Sequence, residues 1–197
     1  MPTKAFPVAA LQSSLKLTQE PPKGLKANLT RTYTDMENEA FEACTKPAAY
    51  KKLLFGLCFF HALAIERKKF GPLGWNIGYA FNETDLDICI SQLELYVGEY
   101  EEIPYKVLQQ LTSVVNYGGR ITDDKDMRTA DILINDFYIA KILSDNYKFS
   151  RSGTYFSINP DPEQSMKVAN LWRTGCDISG DWKDMAKNQH AHATITL

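Results

Sequence analysis

Sequence motifs for catalysis are missing from this chain of 197 residues. It contains no G-x-x-x-x-G-K-[ST] phosphate loop, no G-x-S-x-G nucleophile elbow, no H-E-x-x-H zinc motif and no protein-kinase signature. Its two glycine corners, at 71–74 and 118–119, lack the Lys-Ser/Thr that follows the glycines of a phosphate loop. The sequence therefore predicts no catalytic residue and no cofactor in this chain.

Cysteine and histidine are also scarce. The four cysteines form no C-x-x-C pair, and the three histidines are too few and too scattered to complete a zinc site with them. We interpret the thiols as reduced core residues of a cytosolic protein and expect no bound metal. His61 falls on the apolar face of a predicted helix, which favours a core or interface residue over a catalytic one.

Neither sign of charge dominates, and long apolar runs are lacking. Lys and Arg number 22 and Asp and Glu 24, so the net charge is −2 and gives no electrostatic footprint for nucleic acid. No apolar run approaches the ~18 residues of a membrane span, and no apolar segment of a signal peptide follows Met1. We expect neither nucleic acid nor a membrane as a partner.

Charge is nevertheless unevenly distributed. No Lys or Arg occurs from Gly71 to Tyr105, a stretch that carries seven carboxylates. This pattern predicts one acidic face that docks on a neighbour, although solvated helix faces explain it equally well. The seven residues are Glu83, Asp85, Asp87, Glu94, Glu99, Glu101 and Glu102.

What the sequence does contain is helical periodicity. Apolar residues recur at steps of three and four from Tyr50 to Ile65, which predicts an amphipathic helix of about six turns. Similar patterns predict helices over 25–33, 86–97, 104–115, 122–137 and 161–172, and a loop or small hairpin over 149–158. Leu15 and Leu17 alternate with Lys16 like a short strand, but a single strand lacks ladder partners. The predicted fold is mainly α, a helical bundle with one N-terminal strand left without its sheet.

Three strings carry a family resemblance: LTQEPPKGLKANL at 17–29, LLFGLCFFHA followed by ERKKFGPLGWNI between 53 and 77, and NYGGRITDD at 116–124. In order and spacing, the chain from about Phe6 to about Ile158 resembles the dynein heavy chain, in the last AAA+ module of its motor ring. The string EEIP at 101–104 is more similar to the axonemal than to the cytoplasmic type.

The resemblance implies a division of the chain. Residues 1–30 would be the end of the large α/β subdomain of the sixth AAA+ module, which explains a strand whose sheet lies upstream. Residues 31–159 would be the helical lid of that module. Residues 160–197 would be a linker toward the C-terminal domain.

The resemblance also implies a function. The family performs ATP-driven movement toward microtubule minus ends, and ATP is bound by other modules of the parent. This chain is then a non-catalytic structural module that transmits conformational change between AAA+ modules, in the cytoplasm and cytoskeleton, in the axoneme of a cilium or flagellum. Its implied partners are neighbouring modules, dynein intermediate and light chains, and microtubules. A stand-alone helical interaction module, and an enzyme that lacks the familiar motifs, remain alternatives.

Two segments match the strongest family motifs. We expect them to lock the lid helices together, with Trp75 filling a pocket and Arg120 reaching carbonyls or a carboxylate. The glycines of both segments are predicted to end helices through positive φ angles. The candidate residues are Phe70, Gly71, Pro72, Gly74, Trp75 and Asn76 in the first segment, and Tyr117, Gly118, Gly119 and Arg120 in the second.

Overall fold

The computed structural model describes residues 8–15, 17, 22–36, 44–144, 147–150, 153 and 155–156. Six α-helices lie within them: α1 (Val8–Ser13), α2 (Leu25–Asp35), α3 (Pro47–Arg67), α4 (Glu83–Glu99), α5 (Tyr105–Gln110) and α6 (Asp124–Asn135). Short 3₁₀ turns cover Lys68–Leu73, Gly118–Arg120 and Ala140–Leu143, and a π-helical turn covers Leu111–Asn116. The predicted helical bundle is confirmed.

Helix α3 is the centre of this bundle. Its 21 residues begin with Pro47, which suits a first turn because the missing N–H has no partner there. The sequence predicts an amphipathic helix here, but nearly every side chain from Leu53 to Ala64 is buried, because α3 is apolar on all sides and lies at the centre of the bundle. By length and composition alone, α3 with the turn after it is long enough to cross a membrane, but most of it is buried inside the protein like a core helix.

Helices α2 and α4 both pack against α3, through the apolar faces that their periodicity predicts. Leu25, Leu29 and Tyr33 of α2 are all buried. Helix α4 begins with a capping box in which the side chains of Asn82 and Asp85 accept each other's backbone N–H. This box fixes the start of α4.

The predicted helix over 104–115 is only partly α-helical. After α5 the chain widens into the π-helical turn, where Tyr117 N donates to Thr112 O at 3.0 Å. The wider turn changes which side chains face the core. Thr112 and Ser113 are buried, whereas Val114 and Val115 are exposed, which the helical periodicity did not predict.

The predicted N-terminal strand is absent from the described residues. Leu15 and Leu17 belong to no strand there, and both side chains are exposed. The physical reason is that no described segment offers a ladder partner. The hairpin expected over 149–158 is seen as an antiparallel bridge between Lys148 and Phe156, with Phe149 N donating to Tyr155 O.

The predicted domain division stays a prediction. Its first boundary, between residues 30 and 31, falls inside α2, which continues from Leu25 to Asp35. The linker at 160–197 and the helix predicted over 161–172 lie outside the described residues.

Candidate functional site

The first glycine corner folds back on the end of α3. Gly74 N and Trp75 N both donate to Gly71 O, at 2.8 and 2.9 Å. The indole Nε1 of Trp75 then donates to Ala64 O at 2.9 Å, and the side chain is only 2% exposed. Trp75 therefore fills a pocket against α3. Phe70 packs partly buried against the core, and Pro72 lies exposed within the 3₁₀ turn.

Gly71 and Gly74 serve different needs. Gly71 has a φ of 55°, in the left-handed region that favours glycine. The positive φ predicted for Gly74 is wrong, since its φ is −98°; glycine is needed here because a Cβ would overlap the carbonyl oxygen of Arg67. Gly71 thus allows the chain to turn back after α3, and Gly74 allows the loop backbone to lie against the backbone of Arg67.

Arg67 is a buried cation between the corner and α6. Its side chain is 1% exposed, and its Nε donates to Gly74 O at 3.1 Å. The guanidinium carbon lies 5.1 Å from the centre of the Trp75 ring. Burial lowers the pKa of Arg67 to about 10, while the negative charge of Asp126 acts in the opposite direction. Arg67 remains charged at neutral pH. The sequence favours a solvated basic cluster at the helix end for Arg67, Lys68 and Lys69, and this is wrong for Arg67, which is buried.

Asp126 binds the corner to α6. Its Oδ1 accepts from Asn76 N at 2.9 Å and its Oδ2 from Ile77 N at 3.2 Å. The neighbouring Asp123 caps α6 and accepts from Asn76 Nδ2 at 3.1 Å, which lowers the pKa of Asp123. Both acids lie at the start of the helix that the sequence predicts over 122–137. The structure adds that one of them, the buried Asp126, holds a loop 50 residues away in sequence.

The second corner contacts the start of α4. Arg120 Nε lies 2.9 Å from Asp85 Oδ1 and 2.8 Å from Asp85 Oδ2, and Arg120 Nη2 lies 3.3 Å from Asn82 Oδ1. Asp85 is therefore shared between the capping box and the ion pair. Arg120 reaches a carboxylate, which is one of the two partners expected for it.

The glycines of this second corner do not have the positive φ angles that the sequence predicts for them. Gly118 is needed for space instead, because a Cβ there would lie 2.7 Å from Ser113 O and 3.0 Å from Met127 Sδ. A Cβ at Gly119 would meet nothing within 4 Å. The prediction fails here because the corner is a 3₁₀ turn with ordinary helical backbone.

Tyr117 joins the second corner to α3 and to the loop before α4. Its hydroxyl lies 2.7 Å from His61 Nδ1, and its ring packs on Phe60 and Phe81 with centroids 5.0 and 5.2 Å away. Phe81 in turn packs on Trp75 at 5.7 Å. The two motif segments thus share one aromatic cluster. We call the set Arg67, Gly74, Trp75, Asn76, Asp126, Asp85, Tyr117 and Arg120 the corner lock.

His61 is neutral at physiological pH. Burial lowers its pKa to about 4, although the negative charge of Asp85 acts in the opposite direction. Burial also raises the pKa of Tyr117 well above its ordinary value. Neither group is therefore poised to exchange a proton near neutral pH, and their hydrogen bond is a structural contact. This agrees with the interpretation of His61 as a core residue.

A cavity of about 500 Å³ opens beside the corner lock, bounded by α2, the end of α3 and the start of α4. Two of its three cations are paired, Arg31 with Glu83 at 2.5 Å and Arg120 with Asp85. This pairing weakens its attraction for a polyanion. Among the residues that the structure describes, no group of three or more His, Cys, Asp or Glu is placed to hold a metal ion.

Comparison with known proteins gives a consistent result. The family model described as "Dynein heavy chain AAA lid domain" matches residues 50–174. The chain is 53% identical over 161 residues to dynein axonemal heavy chain 12 of Homo sapiens, covering 79% of this chain and 5% of that protein. It is 48% identical over 160 residues to dynein axonemal heavy chain 1 of Rattus norvegicus, covering 81% of this chain and 4% of that protein.

A third relative, dynein axonemal heavy chain 3 of Mus musculus, is 49% identical over 157 residues, covering 78% of this chain and 4% of that protein. The chain thus corresponds to about one twentieth of the length of these curated relatives. The family model spans every residue of the corner lock. The sequence resemblance is confirmed, and the chain belongs to the dynein heavy chain AAA lid domain family.

Proposed function

We propose that this chain is a non-catalytic structural module of an axonemal dynein motor ring, and that it passes conformational change from one AAA+ module to the next. The observation that carries the proposal is the contact of the buried Asp126 carboxylate with the backbone N–H groups of Asn76 and Ile77. This contact ties the loop after α3 to the first turn of α6, so that two parts of the bundle move together.

The packing supports a rigid body. A module that transmits the movement of one neighbour to the next must itself change shape by less than the neighbour moves. Close-packed protein interiors are hard to deform and therefore suit this role. In the corner lock, Arg67 and Asp126 are both buried. Separating buried charged groups from their partners is costly, which favours one fixed arrangement of the helices.

The proposal assigns the chain to the sixth AAA+ module, with residues 31–159 as its lid. The parent heavy chain would be the ATPase, with ATP bound by other modules and movement directed toward microtubule minus ends. The similarity to axonemal heavy chains supports a location in the cytoskeleton of a cilium or flagellum. The partners proposed are neighbouring AAA+ modules, dynein intermediate and light chains, and microtubules.

The test uses the parent motor with Asp126→Asn, and with Asp124→Asn as the matched control. Both acids lie in the first turn of α6, but Asp124 is exposed and binds none of the corner backbone in the described structure. We expect Asp126→Asn to slow microtubule gliding while basal ATP turnover persists, and Asp124→Asn to change neither. Gliding at the control velocity would contradict the transmission role and favour the stand-alone interaction module.

A further inference from the structure

Helix α4 presents an exposed heptad pattern on the side away from the core. Ile88 and Leu95 lie seven residues apart and are 46% and 52% exposed. Ser91 and Gly98, which are also exposed, lie three residues after each of them. Apolar residues at one heptad position with small residues at the next form a surface on which a second helix can pack closely. We call this surface, formed by Ile88, Ser91, Leu95 and Gly98, the α4 seam.

The α4 seam is bordered by carboxylates. Asp87 and Glu94 precede its two apolar residues, on one flank, and Glu99 lies on the other. All three are exposed, and in the described part of the chain none of them forms an ion pair, in contrast to Glu83 and Asp85 of the same helix. In heptad terms these acids occupy the flanking positions, whose charges determine which partner pairs with a helix.

The apolar surface continues beyond α4. The Asn116 side chain donates from Nδ2 to Gln92 Oε1 at 2.7 Å, which joins the π-helical turn to α4. Gln92 lies one turn from both apolar residues of the seam, and Val115, next to Asn116, is exposed. A helix seated on the seam could therefore also contact Val115.

We propose that the α4 seam docks a basic amphipathic helix from outside this chain, one that carries apolar residues at heptad spacing with Lys or Arg beside them. The argument for this occupant is charge complementarity. The seam has carboxylates on both flanks and lies in a 35-residue stretch, Gly71 to Tyr105, without Lys or Arg. Opposite charge at the flanks favours such a helix, and like charge disfavours both an acidic helix and a second copy of the seam.

The test measures binding of two designed 21-residue peptides to the 197-residue chain by fluorescence anisotropy. Both carry Leu at the apolar heptad positions, one with Lys and one with Glu at the flanking positions. Like charges on the flanks keep each peptide from pairing with itself. We expect the Lys peptide to bind the chain, more weakly as salt increases, and the Glu peptide not to bind.

Variants locate the binding. Ile88→Glu and Leu95→Glu should each raise the Kd of the Lys peptide at least ~10-fold. Leu73→Glu, at a residue 48% exposed and outside the seam, should leave it within about twofold. The double variant Asp87→Lys with Glu94→Lys should bind the Glu peptide in place of the Lys peptide. Glu102→Lys, which lies beyond the helix, should not change the preference. Leu95→Ala replaces Leu95→Glu if circular dichroism shows the latter to be unfolded.

Three results would overturn the proposal. The first is no binding of the Lys peptide to the unsubstituted chain, and the second is equal loss of binding in Leu95→Glu and Leu73→Glu. The third is a dimer in sedimentation that Leu95→Glu abolishes, because it would assign the seam to a second copy of the chain. None of these depends on the place of the chain in a motor ring.

Discussion

Gly74 lies so close to Arg67 that a single methyl group would not fit between them. A Cβ at residue 74 would overlap the Arg67 carbonyl oxygen, and Gly74 O accepts from the Arg67 side chain at 3.1 Å. The loop backbone at Gly74 thus contacts both the main chain and the side chain of Arg67 at the end of α3. This contact places Trp75 beneath the Arg67 guanidinium.

Gly74→Ala should therefore be strongly destabilising. Shifting backbone that is packed against backbone costs about 3 kcal/mol or more in the free energy of unfolding, in the range of severe core substitutions. Urea unfolding of the 197-residue chain measures it. Gly119→Ala is the matched control, since its Cβ meets nothing within 4 Å and its φ is not positive, and it should change stability by less than about 1 kcal/mol. Equal losses in the two variants would contradict the close contact.

Stability should depend on pH through His61. Its folded pKa of about 4 lies below its ordinary value of 6.5, so the unfolded state binds the proton more readily. The contribution of neutral His61 to the free energy of unfolding is complete above pH 6.5 and is lost as the pH falls toward 4. It amounts to about 3 kcal/mol at most, from 1.36 kcal/mol per pKa unit.

Chemical unfolding between pH 7 and pH 5 tests this, because most carboxylates stay ionised there. We expect the unsubstituted chain to lose stability across this window and His61→Gln to lose clearly less. If the free energy of unfolding fell equally with pH in the two proteins, His61 would not be the group that titrates.

The two partners of the Arg120 ion pair should contribute unequally. Asp85 also caps α4 and is buried, whereas the Arg120 side chain is 42% exposed. Asp85→Ala should cost about 2–3 kcal/mol, as expected for a buried acid that loses both a cap and a charge partner. Arg120→Ala should cost ~1 kcal/mol or less, as for other partly exposed pairs. Thermal unfolding of both variants shows which one loses more stability. A larger loss for Arg120→Ala than for Asp85→Ala would contradict this prediction.

Nucleotide should not stabilise the chain. The backbone N–H groups that a phosphate loop would offer are already used in the first corner, since Gly74 and Trp75 donate to Gly71 O and Asn76 and Ile77 donate to Asp126. A ligand that bound the folded state would raise the melting temperature in proportion to its affinity. We expect no ATP-dependent rise in a thermal-shift measurement with Mg²⁺. A clear rise would contradict the absence of a nucleotide site.

The sequence predicts helices well where the pattern is local. The steps of three and four along α3 depend on residues within one or two turns of each other. No strand is seen at Leu15 or Leu17, the described residues of the predicted strand, because strand formation depends on a partner segment. The π-helical turn was missed because one added residue per turn leaves little trace in the hydrophobic pattern.

The corner lock was only half predictable. The Trp75 and Arg120 segments stood out as motifs, and Trp75 is buried and Arg120 bound to a carboxylate as expected. Their partners could not be predicted, because Asp126 is 50 residues from Asn76 and Asp85 is 35 residues from Arg120. Whether these residues act as a lock in the assembled protein stays a prediction.

The most direct test of the account is the thermal unfolding of Trp75→Ala in the 197-residue chain. Trp75 is buried, donates to α3 and carries the Arg67 guanidinium on its ring, so its loss leaves both a cavity and a buried cation without its aromatic contact. The account predicts a loss of about 3–5 kcal/mol and a fall in the melting temperature of ~6 °C or more. A melting temperature equal to that of the unsubstituted chain would contradict the claim that the glycine corners hold the helices together.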